Sequence, residues 1–312
     1  MMSRATCLIW VLITLAGCHV PVRPDATRLA PWTTTLRSQQ PRDAFGAVYA
    51  PGRNLLVFVG AAHTEEIDSL TFRMINDAYA SFDIHAVLVE GVPRSRGPNN
   101  DRLLQWVAGQ SQHEGRQDGG ELIPAIRGAL AEGAVVWGGE PDDAQIRDAL
   151  AAQGVSSEDV LGFYTLRTVP QWLNERQITS PDDAHTRTLI DAELMRNRER
   201  LGLPATMLPG YAAWSEWYAR TNGKAFGAMF ELEETGPLAD GRYASNKIAA
   251  AISRSRDAFL LDAIADRLNA GQSLLVVFGG SHLMIQRPAL DAMLGPPCYV
   301  GAELSSAAAS GC

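Results

Sequence analysis

The chain has 312 residues, of which 46% are hydrophobic and 20% charged, and this composition excludes a disordered or low-complexity chain. Its net charge of −8 and pI near 5.3 exclude the basic footprint of a nucleic-acid-binding protein, so we expect no nucleic-acid partner. The sequence also lacks a P-loop, the Rossmann glycine fingerprint and a His-Glu-x-x-His zinc motif.

The first 17 residues have the pattern of a secretory signal peptide. Arg4 supplies the positive charge, and residues 7–16 form an apolar stretch that is too short to span a bilayer. The stretch ends in Leu15-Ala16-Gly17-Cys18, which resembles the lipobox of bacterial lipoproteins, in which the cysteine is lipidated. Because His19 follows instead of aspartate, the resemblance implies a lipid anchor in the outer membrane of a bacterial envelope, facing the periplasm.

Residues 18–45 are rich in Pro, Thr, Arg and Gln and show little periodicity. This composition predicts a tether between the lipid anchor and the folded domain.

Residues 46–141 have the pattern of a first α/β half. An apolar strand, Leu55–Val59, leads to His63, and Thr64 is predicted to cap the helix that follows. That helix has apolar residues at 67, 70, 74, 78 and 82, and a second strand, Ala86–Val89, then runs into Glu90. The spacing predicts a β-α-β unit in which Glu90 shares a sheet edge with His63.

A third strand, Ala134–Trp137, leads to another carboxylate, Glu140. From residue 142 to 244 helical periodicity dominates, which predicts a lid-like helical insertion. Aromatic residues concentrate there, and two interpretations stay open, the core of a helical subdomain or a substrate groove: Trp172, Tyr211, Trp214, Trp217 and Tyr218.

Residues 245–304 are predicted to be a second α/β half, followed by a tail at 305–312. The half opens with a long helix, Ser245–Asn269, whose apolar stripe contains Arg256. A charged residue in a buried stripe is costly unless it is paired, so Arg256 either extends to the edge of the core or faces a carboxylate. A second strand ending at His282, a helix at 289–294 and a last strand at 298–302 follow.

Two stretches share one pattern, an apolar run followed by Gly-x-x-His. They end at His63 and His282, which lie 219 positions apart, as do the starts of the two runs. We therefore predict an α/β fold with a central, mostly parallel or mixed sheet. It would be built from two related halves, each with a strand ending in Gly-x-x-His, and a helical insertion would lie between them.

Polar residues follow several of these strands, and the carboxyl ends of parallel strands are where open α/β sheets bind ligands. Two imidazoles and a carboxylate can hold a divalent ion with open positions. The predicted metal ligands are therefore His63, Glu90, His282 and Glu140, and the predicted catalytic residues are His63, Glu90, Arg256 and His282. Cys298 and Cys312 remain after processing, in a compartment that permits disulfides, and their pairing stays open.

At these positions the sequence resembles the TraB/PrgY–GumN–Tiki family of the erythromycin-esterase/ChaN-like superfamily. The resemblance lies in four segments: Gly60-Ala61-Ala62-His63, Glu90, Arg256-Asp257 and Gly279-Gly280-Ser281-His282-Leu283. It covers roughly residues 50–140 and 245–303. In that family the paired histidines, the glutamate and the arginine form the proposed site.

The resemblance implies three functions. The first is an envelope-anchored hydrolase that uses a divalent metal ion, manganese or cobalt, on peptide or amide bonds. The second is a metal-free, esterase-type hydrolase with His63 as the base. The third is a lipoprotein without catalysis that binds haem or another ligand. The expected partners are the membrane, through the lipid, and a peptide or small-molecule substrate.

Overall fold

The computed structural model describes residues 21–52 and 54–312 of an α/β protein. The predicted signal peptide (residues 1–17) and the predicted lipidation site, Cys18, lie outside the described residues. Eight strands are described: β1 (Phe45–Tyr49), β2 (Leu56–Ala61), β3 (Ala86–Pro93), β4 (Gln112–His113), β5 (Arg116–Gln117), β6 (Val135–Glu140), β7 (Leu274–Gly279) and β8 (Tyr299–Gly301).

Six of these strands form one mixed sheet in the order β6-β3-β7-β2-β1-β8, which confirms the predicted mostly parallel or mixed sheet. Strands β6, β3, β7 and β2 run parallel, and β1 pairs antiparallel with both β2 and β8. Strands β2 and β7 are direct neighbours, with Leu56 opposite Leu274 and Ala61 opposite Gly279. Both strands therefore end at the same edge of the sheet.

Twelve helices accompany the strands in the described residues: α1 (Thr34–Gln39), α2 (Leu70–Ser81), α3 (Asp101–Ala108), α4 (Leu122–Glu132), α5 (Asp143–Ala151), α6 (Ser157–Leu166), α7 (Val169–Asn174), α8 (Thr186–Leu201), α9 (Tyr211–Asn222), α10 (Ala244–Asn269), α11 (Gly280–Leu294) and α12 (Leu304–Ala309). Short 3-10 helices lie at Ala26–Arg28, Arg94–Arg96 and Leu232–Thr235.

The sheet is covered on both faces, which explains why its central strands are apolar without alternation. Consecutive residues of β2, such as Val57 and Phe58, lie on opposite faces of the sheet and belong to two different hydrophobic clusters. One cluster lies under α2, α3, α4 and α12, and the other under α10, α11 and the N-terminal segment.

Residues 142–244 form no strand and have a hydrophobic core of their own with part of α10. Trp214, Trp217 and Tyr218 are at most 2% exposed and pack against one another in this core. Of the two interpretations of these aromatic residues, the structure therefore supports core packing, because all five belong to this cluster or pack against it.

The prediction that residues 18–45 form a tether is wrong for residues 21–45, the part of this segment that the structure describes. Leu29 and Trp32 are buried in the core beneath α10 and α11, and Thr34 donates its N–H to Asp240 at 2.9 Å. Val22 and Asn269 exchange two hydrogen bonds of 2.8 and 2.9 Å. The composition of this segment is typical of a linker, but its few apolar residues are enough to bind it to the domain.

Two further predictions need correction, and one strand was missed. Helix α2 is capped by Ser69, and Thr64 lies five residues before that cap. Helix α11 begins at Gly280, well before residue 289, so His282 lies in its first turn. Strand β1 was not predicted, because Phe-Gly-Ala-Val-Tyr is short and contains two residues with low strand propensity.

The predicted tail is ordered by α12, whose Leu304 and Ala307 are fully buried. Cys298 and Cys312 are joined by a disulfide with a Cα–Cα distance of 5.7 Å. Over residues 21–52 and 54–312, no helix combines the length and the apolar character needed to cross a bilayer.

Replacement of a core residue in the N-terminal segment tests its docking. We expect Trp32→Ala to lower the free energy of unfolding by about 3–5 kcal/mol, because it empties a buried aromatic site. Thr35→Ala, at an exposed position of the same segment, should change it by less than about 0.5 kcal/mol. Urea denaturation measures both variants, and equal stabilities would mean that the segment is a tether.

Candidate functional site

Glu90 lies at the centre of the candidate site because strand β3 bulges beside it. The pairing of β3 with β6 shifts between Val89 and Pro93, and Gly91 has a φ of 75°, which glycine adopts without strain. The bulge brings the Glu90 carboxylate to the N-terminus of α11, where its Oε2 accepts the Gly279 N–H at 2.7 Å. A carboxylate at this end of a helix is favoured by the helix dipole.

His63 follows β2 by two residues and faces Glu90 from one side. Its Nδ1 lies 2.5 Å from Oε1 of Glu121, and its Nε2 lies 3.9 Å from Oε2 of Glu90. The side chain of His63 is 64% exposed, so this imidazole stands at the mouth of the site. The hydrogen bond that His63 donates to Glu121 raises the pKa of His63 and fixes the orientation of its ring.

His282 faces Glu90 from the other side and is almost completely buried. Its Nε2 lies 3.4 Å from Oε1 of Glu90, and its Nδ1 lies 2.8 Å from Oδ1 of Asp257 in α10. Gln286 donates to the main-chain carbonyl of Asp257 at 2.7 Å. Each of the two imidazoles is therefore held at Nδ1 by one carboxylate and directs Nε2 toward Glu90.

Arg256 binds two carboxylates at once. Its Nε donates to Oε2 of Glu140 at 2.7 Å, and its Nη2 donates to the other Glu140 oxygen and to Oε1 of Glu90 at 2.9 Å. Of the two interpretations of Arg256, the structure shows the inward one. Both oxygens of Glu140, which the sequence predicts as a metal ligand, accept hydrogen bonds from this guanidinium, and its role as a ligand stays a prediction.

The electrostatics of the site follow from these contacts. Burial alone would raise the pKa of Glu90, but His282, Arg256 and the Gly279 N–H hold it well below its usual range. Burial disfavours the charged form of His282, yet Asp257 and Glu90 outweigh burial and raise the pKa of His282 to about 10. Four carboxylates (Glu90, Glu121, Glu140 and Asp257) face Arg256 and the two imidazoles, so the site keeps a net negative charge even with both imidazoles protonated.

Gly279 keeps a space open between His63 and Glu90. A Cβ atom at this position would lie 2.8 Å from Nε2 of His63 and 3.5 Å from Oε2 of Glu90. A cavity of about 240 Å³ lies beside His63 and Glu90. Its lining is apolar apart from the site residues: His63, Val89, Glu90, Gly91, Glu121, Leu122 and Val277.

The donor set fits a divalent cation only in part. Throughout residues 21–52 and 54–312, no cluster of three or more His, Cys, Asp or Glu side chains is arranged to hold a metal ion. The N···O separations of 3.4 and 3.9 Å are nevertheless comparable to those of ligands about 2.1 Å from one ion, which lie about 3.4 Å apart in a tetrahedral site. Metal-binding histidines also place a carboxylate on their second nitrogen, as both imidazoles do.

Sequence reasoning assigned no role to two carboxylates of the site, Glu121 and Asp257, although Asp257 belongs to the Arg256-Asp257 segment of the family resemblance. The sequence contained a clue to Asp257, because it lies three residues before Leu260 of the apolar stripe of α10. In the structure Asp257 is 0% exposed. Glu121 carried little signal, because it reads as an ordinary acidic residue at the start of a helix. The other predicted site residues, His63, Glu90, Arg256 and His282, all meet at one edge of the sheet.

Comparison of the chain with protein-family models, with curated proteins and with solved structures found no match.

The buried imidazole predicts a dependence of stability on pH in metal-depleted protein. Because the pKa of His282 is raised to about 10, its contribution to stability is complete below about pH 6.5 and is lost as the pH rises toward 10. We expect the free energy of unfolding to fall by more than about 1 kcal/mol between pH 6.5 and 9.5. Urea titrations with a chelator present measure this fall, which should be much smaller in His282→Gln. Equal pH dependence in both proteins would contradict the assignment.

Proposed function

We propose that this chain is a hydrolase whose active site lies at the sheet edge formed by β2, β7 and β3. The observation that carries the proposal is the convergence of two imidazole Nε2 atoms on Glu90, with each Nδ1 held by a carboxylate. Two Gly-x-x-His strands supply the histidines, so the proposal includes two related halves separated by a helical insertion.

His63, His282 and Glu90 would hold a divalent ion, of the manganese or cobalt type. When bound, such an ion polarises a carbonyl group and lowers the pKa of a water molecule. Glu90 suits the role of ligand better than that of base, because its lowered pKa makes it a weak proton acceptor. Glu121 and Asp257 keep the Nδ1–H groups engaged, so that the Nε2 lone pairs face inward.

Arg256 has a positioning role in this proposal. It ties Glu90 to Glu140 and so fixes the central carboxylate between the two imidazoles. The wall of Val89, Leu122 and Val277 would accept a short apolar group of the substrate. The choice of a peptide or amide bond rests on the family resemblance and not on any contact.

A metal-free hydrolase is the second candidate, and one observation favours it. His63 and Glu121 form a 2.5 Å pair at an exposed position, with Nε2 directed into the cleft. An imidazole oriented by a carboxylate in this way is a general base that needs no metal. The haem hypothesis has no such support, because the aromatic residues that motivated it are core residues.

The membrane anchor belongs to the same proposal. A lipid on Cys18 would place the protein in the outer membrane, facing the periplasm. Since Val22 is bound to Asn269 at the end of α10, the connection from Cys18 to the domain could span at most about 14 Å. The anchor would then hold the domain close to the bilayer on a short connection.

The space at Gly279 gives the first test of the proposal. Gly279 has an ordinary φ of −52°, so Gly279→Ala leaves the backbone unstrained and only fills the gap beside His63. We expect at least a roughly tenfold loss of affinity for Mn²⁺ and of peptide hydrolysis, with an unchanged circular dichroism spectrum. Gly109→Ala, whose Cβ would make only ordinary contacts, is the matched control. Normal metal binding and turnover in Gly279→Ala would contradict the proposed site.

Glu121→Gln separates the two candidates. If His63 is a metal ligand, the variant should bind Mn²⁺ about 10–100-fold more weakly, because the support of the ring is lost. If His63 is a metal-free base, kcat should fall instead, and wild-type activity should survive chelation. Calorimetry and turnover with and without EDTA measure these outcomes. A variant with unchanged affinity and unchanged kcat would exclude both roles for the His63–Glu121 pair.

A further inference from the structure

The candidate site occupies only one of the two edges at which the parallel strands begin or end. Strands β2, β7 and β3 run in the same direction, so all three begin at one edge of the sheet and end at the opposite edge. The cleft with His63 and Glu90 lies where the strands end. The opposite edge, where the strands begin at Leu56, Ala86 and Leu274, is called the strand-start edge below.

Val22 is attached to the domain at the strand-start edge. Its N–H donates to Oδ1 of Asn269 at 2.8 Å, and its carbonyl accepts from Nδ2 of the same side chain at 2.9 Å. The Val22 side chain packs against the hydrophobic cluster under α10 and α11. Asn269 is the last residue of α10, and the neighbouring Leu268 carbonyl accepts from Asn54, two residues before β2, at 3.1 Å. The N-terminal segment therefore reaches the domain beside the start of β2.

Two exposed histidines mark the two edges of the sheet. His85 precedes β3, and it exchanges hydrogen bonds of 2.9 and 3.0 Å with the main chain of Ser273, which precedes β7. His85 is 46% exposed at the strand-start edge, and His63 is 64% exposed at the cleft. A strand of six residues, such as β7, spans about 17–20 Å, so the two edges are separated by at least this distance.

The length of the connection to the proposed lipid limits how the domain can lie on a bilayer. From Cys18 to Val22 the chain reaches at most about 14 Å. If the cleft opened onto the bilayer, the strand-start edge with Val22 would stand at least about 17–20 Å away from it. This distance exceeds the reach of the connection, so the cleft cannot face the bilayer.

We infer that the strand-start edge is the surface that faces the lipid bilayer, and that the cleft opens toward the aqueous compartment. The inference rests on the proposed lipid anchor at Cys18, but it does not depend on hydrolysis. It also restricts the class of substrate. Molecules that reach this cleft would come from the aqueous side, whereas lipids of the membrane that holds the anchor would not reach it.

Paramagnetic relaxation from the bilayer tests this orientation. The lipidated chain is placed in lipid nanodiscs whose headgroups carry chelated Gd³⁺, with chelated La³⁺ as the diamagnetic reference. The ring signals of His85 and His63 are then compared in ¹⁵N NMR spectra. Because the two edges lie about 17–20 Å apart and the effect falls steeply with distance, we expect at least about fivefold faster relaxation at His85 than at His63.

Release of Val22 provides a variant with a longer connection. In Asn269→Ala the first remaining hydrogen bond from the described N-terminal segment to the domain is at Ala26, whose carbonyl accepts from Arg254 at 3.1 Å. The connection from Cys18 then reaches about 29 Å, which is enough to let the domain turn over. We expect the difference between His85 and His63 to shrink in this variant. Asn76→Ala, at an exposed position of α2, is the matched control and should keep the difference.

The possible outcomes separate this inference from the proposals on which it depends. Equal relaxation of the two imidazoles in wild type, or faster relaxation at His63, would overturn it, and so would an undiminished difference in Asn269→Ala. Mass spectrometry of Cys18 tests the anchor by itself, and an unmodified cysteine would refute the anchor together with this inference. Absence of peptide hydrolysis would count against the proposed hydrolase only and would leave the orientation unchanged.

Discussion

Three adjacent parallel strands, β2, β7 and β3, end at one edge of the sheet, and the candidate site depends on this pairing. Strand β7 lies between the other two, so the residues that follow all three strands meet above it. In-register pairing with β2 sets His63 beside the start of α11, and the bulge in β3 aims Glu90 between the imidazoles. A shift of one residue in either pairing would turn the strands' side chains to opposite faces and separate the three groups.

The contacts around Glu90 form one connected network, and its members hold one another in place. Arg256 balances Glu90 and Glu140, Asp257 balances His282, and Glu121 balances His63. Removal of one member would leave its partner charged, and an unpaired charge costs most at His282 and Asp257, which are buried. The network is thus buried at His282 and Asp257 and most exposed at His63.

Sequence patterns predicted the groups at the site better than their partners. His63, Glu90 and His282 were identified because each follows an apolar strand, and Arg256 because it interrupts an apolar stripe. The pairing of Glu121 with His63 could not be predicted, since it depends on how α4 packs against the loop after β2. The insertion of β7 between β2 and β3 is likewise a property of the tertiary fold. Docking of residues 22–40 was missed because two buried residues, Leu29 and Trp32, decide it against an otherwise polar composition.

The most direct measurement is the paramagnetic broadening of histidine ring signals by Mn²⁺ in ¹⁵N NMR spectra. If His63 and His282 face one ion, both ring signals should disappear at one equivalent of Mn²⁺, despite their separation of 219 positions. The exposed His85 and His185 serve as internal controls and should keep their signals. Broadening of only one of the two site histidines, of neither, or of all histidines equally would contradict a shared metal site.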